Sequence, residues 1–391
     1  MTVQTHSIEV RVGAQQVVIG STDEVSITHD LLAPSSPFTL TLWRTASMAP
    51  WPRADLWPLL LCDETIEVAV DGAVQVRGLI SAVKPTASHE GSPLTITGRD
   101  YVSVAQESDA DPALSLRNVT LVDALERLFA PLGVNVVVGA QAEAARNALA
   151  GARPGTRTTT TARGHRAHRV DQFRVRVGER VWQLAQQLCR RHGYLLYSAP
   201  CGGGVGLVID RPAYDAPVRY AFTRRWVEAE TRFTGNVLSG GRTTDVSRVP
   251  SDVTVFGHDA VASREDARLR ARIENEGLAH PRVAGTQPRR PRYIRDDRAR
   301  TVDTCAQRAR REIAEAMAGF DVHEYTVQGF GQGGYLYAIN GMARVDDDVT
   351  GVHGDCLITQ VTLKRSRAAA TTAAVRLVPR GALVIEPDPS V

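Results

Sequence analysis

Short segments in which apolar and polar residues alternate one by one recur at both ends of this chain. That period of two is the pattern of strands with one buried face. Ile8, Val10 and Val12 alternate in this way, as do Ile66, Val68 and Val70, and then Val74 and Val76. Asp71-Gly72 between the last two runs is a hairpin-turn pair. Gly78, Leu79, Ile80 and Val83 continue into a further strand, and Leu94 and Ile96 form one more before Gly98-Arg99-Asp100. Strands this short and this regularly punctuated predict a small antiparallel barrel or sandwich over residues 1–100. Pro34, Pro37, Pro50, Pro52 and Pro58 with Trp43, Trp51 and Trp57 read as a long loop whose indoles cap it.

The period changes after residue 101. Thr120 precedes Leu121, Leu125, Leu128 and Phe129 at helical spacing, with Asp123 placed as its capping-box partner and Pro131 and Gly133 as the stop. Val134 to Val138 is a compact apolar strand. Residues 139–170, rich in Ala, Arg, Gly and Thr, have no sustained period and read as a flexible insertion. Phe173, Val175 and Val177 then lead through Gly178-Glu179 to a helical face of Val181, Trp182, Leu184, Ala185, Leu188 and Cys189, which Gly193 ends in a left-handed cap. Tyr194 to Tyr197 and Val205 to Ile209 flank Gly202-Gly203-Gly204 as a hairpin. That glycine run lacks the GxxxxGK pattern and a following helix, so it reads as a turn and not as a phosphate loop.

A second β-rich stretch opens at Gly235-Asn236-Val237-Leu238 and resumes at Val253-Val255-Gly257. The arginine-rich residues 259–301 interrupt it, followed by a helix from Val302 to Met317 closed by Gly319. Strands return at Tyr325-Val327, Leu336 to Ile339, Met342 to Val345, Leu357 to Val361 and Val375-Leu377. The predicted class is therefore α+β, mainly β, in three domains: 1–100, 101–234 and 235–391. The two ends match each other better than either matches the middle.

Composition bounds the function. The 391 residues suffice for two or three domains, and the 43% hydrophobic and 23% charged content is that of a soluble chain with no run of 18 apolar residues. Polar Gln4, His6, Glu9 and Arg11 stand where an export signal would be apolar, so the expectation is a protein made in a cytoplasm. A net charge of +3 does not mark the whole chain as a nucleic-acid binder. Five cysteines without a CxxC pair give neither a zinc cage nor a disulfide framework.

No local pattern supports catalysis: GxSxG and HExxH are absent, and no Ser-His-Asp set stands out. His165 and His168 lie among arginines, which disfavour a bound cation, so they read as part of a basic loop. Asp346-Asp347-Asp348 lacks the alternate carboxylates and terminal Glu of a calcium loop and reads as a solvated turn. Arg282, Arg289, Arg290, Arg292, Arg295, Arg298 and Arg300 could neutralise phosphates, but Asp296 and Asp297 offset them and only Tyr293 could stack. A solvated loop facing another subunit is the preferred reading, with nucleic-acid contact by Arg289, Arg290 and Arg292 as the alternative. No catalytic residue, cofactor or metal is expected.

In order, these landmarks resemble the baseplate hub proteins of contractile phage tails, the Mu-like tail protein P family, related in fold to the T4 hub. The matching positions are Gly98, Arg99 and Asp100; Gly178, Glu179 and Trp182; Gly235 and Asn236; Gly257; and Asn340, with Arg308, Glu312, Gly329, Leu336 and Leu357 between and after them. The strand, Gly-Glu and Trp-bearing helix of the middle region is also similar to peptidoglycan-binding LysM modules. The hub resemblance implies two tail-tube-like antiparallel β-barrels with an α/β middle domain. It further implies a homotrimer adapting a six-fold tail tube to a three-fold spike, and contacts with tube, spike and other baseplate proteins. DNA is then met only in passing through the lumen, no membrane is involved, and the protein resides in the virion after assembly in the host cytoplasm. Tyr337 and Gly329-Phe330 stand where the family often has Trp. A peptidoglycan-binding or wall-degrading tail protein is the alternative.

Overall fold

Backbone hydrogen bonds join strands from the two ends of the chain into one continuous sheet of 14 strands. The structure, a computed structural model, describes residues 6–14, 17–19, 22–43, 60–86, 93–143, 169–201, 204–257, 269–275, 289–299, 301–366 and 370–383. Trp51, Trp57, His165, His168, Arg282, Arg300 and most of the 139–170 insertion lie outside these. No helix among the described residues is long and apolar enough to cross a membrane.

The mainly β, α+β class is the one observed, but the strands of the two ends do not form two separate closed barrels. They share a seam instead. Strand Glu24–Asp30 pairs antiparallel with the far half of the long strand Val352–Arg365, with Ile27 opposite Leu363, both fully buried. One apolar core, running from Val10 to Leu383, lies beneath both halves.

On either side of the seam the same module recurs. In the first, strands lie in the order Thr65–Val70, Ala73–Pro85, Pro93–Asp100, Pro37–Trp43, Glu24–Asp30; in the second, Met342–Asp347, Val352–Arg365, Thr372–Pro379, Asp321–Gln328, Val237–Thr244. Chain order, spatial order and antiparallel pairing correspond strand for strand. The long strand of each carries an irregularity at the same place, between Ile80 and Ala82 in one and Ile358 and Gln360 in the other. The outer hairpins depart from this correspondence: Ile8–Val12 runs antiparallel to 65–70, whereas Val218–Val227 runs parallel to 342–347.

Local chemistry accounts for several elements. Asp71 and Gly72 both take positive φ, 51° and 78°, as a tight hairpin between right-twisted strands requires. Thr120 and Asp123 close a reciprocal capping box on helix Leu121–Phe129, whose Leu121, Ala124, Leu125, Leu128 and Phe129 are buried. This helix and helix Val181–Arg191 share the core of the middle region.

Three expectations are corrected. Pro37–Trp43 is a strand and not loop: Phe38, Leu40 and Leu42 point into the core, and proline is accepted at its first position. Ser115–Thr120 is a strand paired with Arg169–Arg174, so Arg169 and Val170, the last two residues of the expected insertion, are strand residues. Val253 and Val255 belong not to a barrel but to a separate three-stranded sheet, Asp252–Phe256 between Arg270–Glu274 and Pro291–Arg295, which packs with helix Val302–Ala318 around its own small core. Much of the arginine-rich stretch is thus part of an α/β outgrowth inserted between two strands of the second module.

Candidate functional site

The residues singled out in the sequence fall at joints between regions. Gly98 sits where the 93–100 strand passes beneath its neighbours; a Cβ there would come within 2.2 Å of Leu79 O and 2.4 Å of Phe38 Cζ. Arg99 pairs with Glu107 in the short helix that follows. Asp100 is fully buried and its Oδ2 accepts the Ser36 amide at 2.6 Å. Burial pushes its pKa up against the hydrogen bonds it accepts. Ser36 Oγ in turn bonds His29 Nδ1 at 3.0 Å, and burial holds His29 down at about 4, opposed by the interaction of its ring with the Gln75 side chain.

Gly178 makes a turn that presents Glu179 to Arg298, an ion pair tying the middle region to the outgrowth. Trp182 is 6% exposed and lies in the middle core, so helix Val181–Arg191 turns its indole inward. Gly235 has φ 138° and its Cβ would lie 1.9 Å from Thr223 O, so only glycine fits. Beside it, the Asn236 carboxamide accepts the Thr223 amide at 2.8 Å and donates to Ala221 O at 2.7 Å, standing in for a strand where the ladder changes partner. Gly257 packs against Ala299 and Cys305 in the outgrowth.

Asn340, at φ 58°, docks the middle hairpin Leu195–Cys201/Gly204–Asp210 and the segment after it onto the second module. Its Oδ1 accepts the Ala213 amide at 3.0 Å, and its Nδ2 donates to Arg211 O at 2.9 Å and Asp210 Oδ2 at 3.3 Å. A cleft of about 390 Å³ opens beside this joint, bordered by His29, Tyr197, Cys201, Asp210 and Tyr337. The polar groups on it serve structure: Asp210 Oδ1 takes the amides of Ala142 and Arg211, and His29 is held by Ser36. Burial raises the pKa of Asp210 against those bonds and that of the Tyr197 hydroxyl as well.

The three arginines do not form one free patch. Arg289 forks onto Asp252 at 3.0 and 3.2 Å, and Arg292 pairs with Glu312 at 2.8 Å. Arg290 is exposed, and its amide donates to Ser251 Oγ at 3.0 Å. The first two brace the outgrowth's sheet against its own acids.

Sequence reading missed a fully buried charge. Asp347, taken for part of a solvated turn, is fully buried and accepts a bidentate Arg224 fork at 2.8 and 2.7 Å, with Thr350 and Tyr325 hydroxyls at 2.6 and 3.0 Å. Burial alone would raise its pKa; these donors outweigh that and hold it at about 2. The signal was faint, one aspartate among three. Its neighbours Asp346 and Asp348 do face outward, grouped with His353, and Arg225 already pairs with Asp346. Helix 302–318 carries a second, largely buried set: Glu315 pairs with its own Arg311 and with Arg190 of helix Val181–Arg191, and Glu312 pairs with Arg308; the i,i+4 spacings were its readable sign.

A duplicated antiparallel module, joined through polar hinges to an α/β middle, defines a scaffold of docked sheets. Solved structures with this arrangement include tail proteins. A 43 kDa tail protein of prophage MuSo2 from Shewanella oneidensis matches with a TM-score of 0.72 at 19% identity, over 97% of this chain and 99% of that one. A tail protein from Neisseria meningitidis matches with a TM-score of 0.73 at 19% identity, over 97% and 98%. The Escherichia coli c3393 protein, a type VI secretion component described as structurally similar to the T4 tail proteins gp27 and gp5, matches with a TM-score of 0.52 at 9% identity, over 98% and 79%. No family model and no curated protein matches the chain. The fold is thus that of Mu-like prophage tail proteins, with a type VI secretion component as a more distant neighbour.

Proposed function

We propose that this protein is a structural baseplate hub of a contractile phage tail, tailocin or related injection system: a homotrimer that adapts a six-fold tail tube to a three-fold spike. The observation that carries the reading is the duplication. A chain with two corresponding β modules offers six similar units in three copies, which is what a part lying between six-fold and three-fold neighbours needs. Near end-to-end agreement with two tail proteins, one of them from a prophage, supports it.

In this reading, regions 1–100 and 235–391 each supply a tube-like wall segment. The pairing order of the second module favours a wall that curls back on itself, because residues 232–244 pair with the 218–227 strand at one end and with 321–328 at the other. One face of the shared sheet alternates polar Ser26, Thr28, Thr39, Thr97 and Thr362, suited to a wetted lumen through which DNA passes without being read. The 101–234 region and the outgrowth hold baseplate neighbours, and the particle is the site of action. The neighbours' character as tail components points away from catalysis. Light scattering of the purified chain at micromolar concentration tests the proposal: a trimer is expected, and a clean monomer overturns it.

A further inference from the structure

The seam inside one chain is a template for a contact between chains. In the second module the long strand outruns its 342–347 partner, whose pairing ends at Leu357, and residues 360–365 accept the edge strand 24–30 on the side left free. In the first module the long strand 73–85 likewise outruns its 65–70 partner, whose pairing ends at Leu79. Residues 82–86 beyond it have no strand on that side among the described residues, and all but Val83 are exposed. The counterpart of the seam's edge strand, Val237–Thr244, pairs only with 321–328, and its Leu238 is 56% exposed. Each copy thus contains one satisfied joint and both unsatisfied halves of a second.

We propose that these halves meet in another copy of this chain, the 237–244 edge of one adding antiparallel to the 82–86 edge of the next. Open strand edges with unpaired N–H and C=O groups favour such addition. The seam sets the register. There Asp30, His29, Thr28 and Ile27 face Gln360, Val361, Thr362 and Leu363. Through the module correspondence, Asp245, Thr244, Thr243 and Arg242 face Ala82, Val83, Lys84 and Pro85 of the neighbour. Pro85, which lacks an N–H, falls at a strand end, where that is tolerated. The contact is head-to-tail, so it builds a ring and not a two-fold pair; it rests on the trimer reading above and specifies how the copies join.

The hydroxyls of Thr28 and Thr362 lie 3.1 Å apart across the seam, which places Lys84 and Thr243 side by side between copies. Opposed residues in an antiparallel ladder have Cα atoms about 4.5–5.5 Å apart, within disulfide reach. The experiment is mild oxidation of Lys84→Cys/Thr243→Cys in a Cys62→Ser background, which removes the exposed native thiol, followed by a non-reducing gel and light scattering. Bands at about two and three times the chain mass are expected, absent from either single variant. They are also absent from Lys84→Cys/Leu238→Cys, whose second site lies about 16 Å along the strand. A trimer that does not cross-link, or one that links equally in the displaced control, overturns this register and leaves the trimer standing. A monomer overturns both.

Discussion

At the scale of single residues the molecule is fastened by polar side chains that a strand pattern does not announce. His29 is 3% exposed and hydrogen-bonded to Ser36, and burial holds its pKa at about 4, below the 6.5 of a free imidazole. A group whose folded pKa is lowered this way gives its full stability above pH 6.5 and loses it as pH falls from about 6.5 toward 4, because the unfolded chain takes up the proton first. We expect a loss on the order of 3 kcal/mol across that window, removed in His29→Gln, which does not titrate. Parallel denaturation curves of the two proteins from pH 7 to pH 4 check this; equal slopes overturn it. Asp347 was hidden in the sequence, and Asn340, though singled out there by resemblance, gave no sign of what it holds. Burial of one aspartate in a row of three, or of one asparagine among loops, depends on partners over a hundred residues away, Arg224 and Asp210.

Among elements, those that depend on neighbours in sequence were legible and those that depend on distant partners were not. The Thr120/Asp123 box and the Asp71-Gly72 turn formed as read, because three or fewer residues settle each. The 37–43 strand was obscured by the prolines and tryptophans around it, although Phe38, Leu40 and Leu42 alternate. Strand 252–256 was recognised as a strand but placed in the wrong sheet, since Val253 and Val255 alternate the same way whichever sheet they join. The outgrowth it forms changes the meaning of the arginines. With Arg289 on Asp252 and Arg292 on Glu312, the double variant Arg289→Ala/Arg292→Ala is expected to lower the melting temperature by a few degrees, since each buried acid loses one of its two arginines and keeps only Arg272 or Arg308, and to leave retention on DNA unchanged. Salt-sensitive DNA retention lost in that variant would restore the nucleic-acid reading.

On the scale of the whole molecule, the seam makes two modules one body. Ile27 and Leu363 oppose each other there, both fully buried, from positions more than 300 residues apart, which no local pattern foretells. Leu363→Ala removes core volume shared by both sides, at a cost of about 2–5 kcal/mol. Amide exchange is expected to quicken together in the 65–70 and 342–347 strands; quickening confined to the second module would show that the halves open independently.

The two modules are alike in their sheets and unlike in what joins their first two strands. Residues 31–36 make a slim turn in the first, whereas the second inserts the whole α/β outgrowth between strands 237–244 and 321–328. Three copies set about an axis would therefore alternate bare and ornamented stations. Seen down the bore such a wheel has six spokes; along its rim it has three knobs, and a partner gripping those knobs would count to three while one resting on the spokes counted to six.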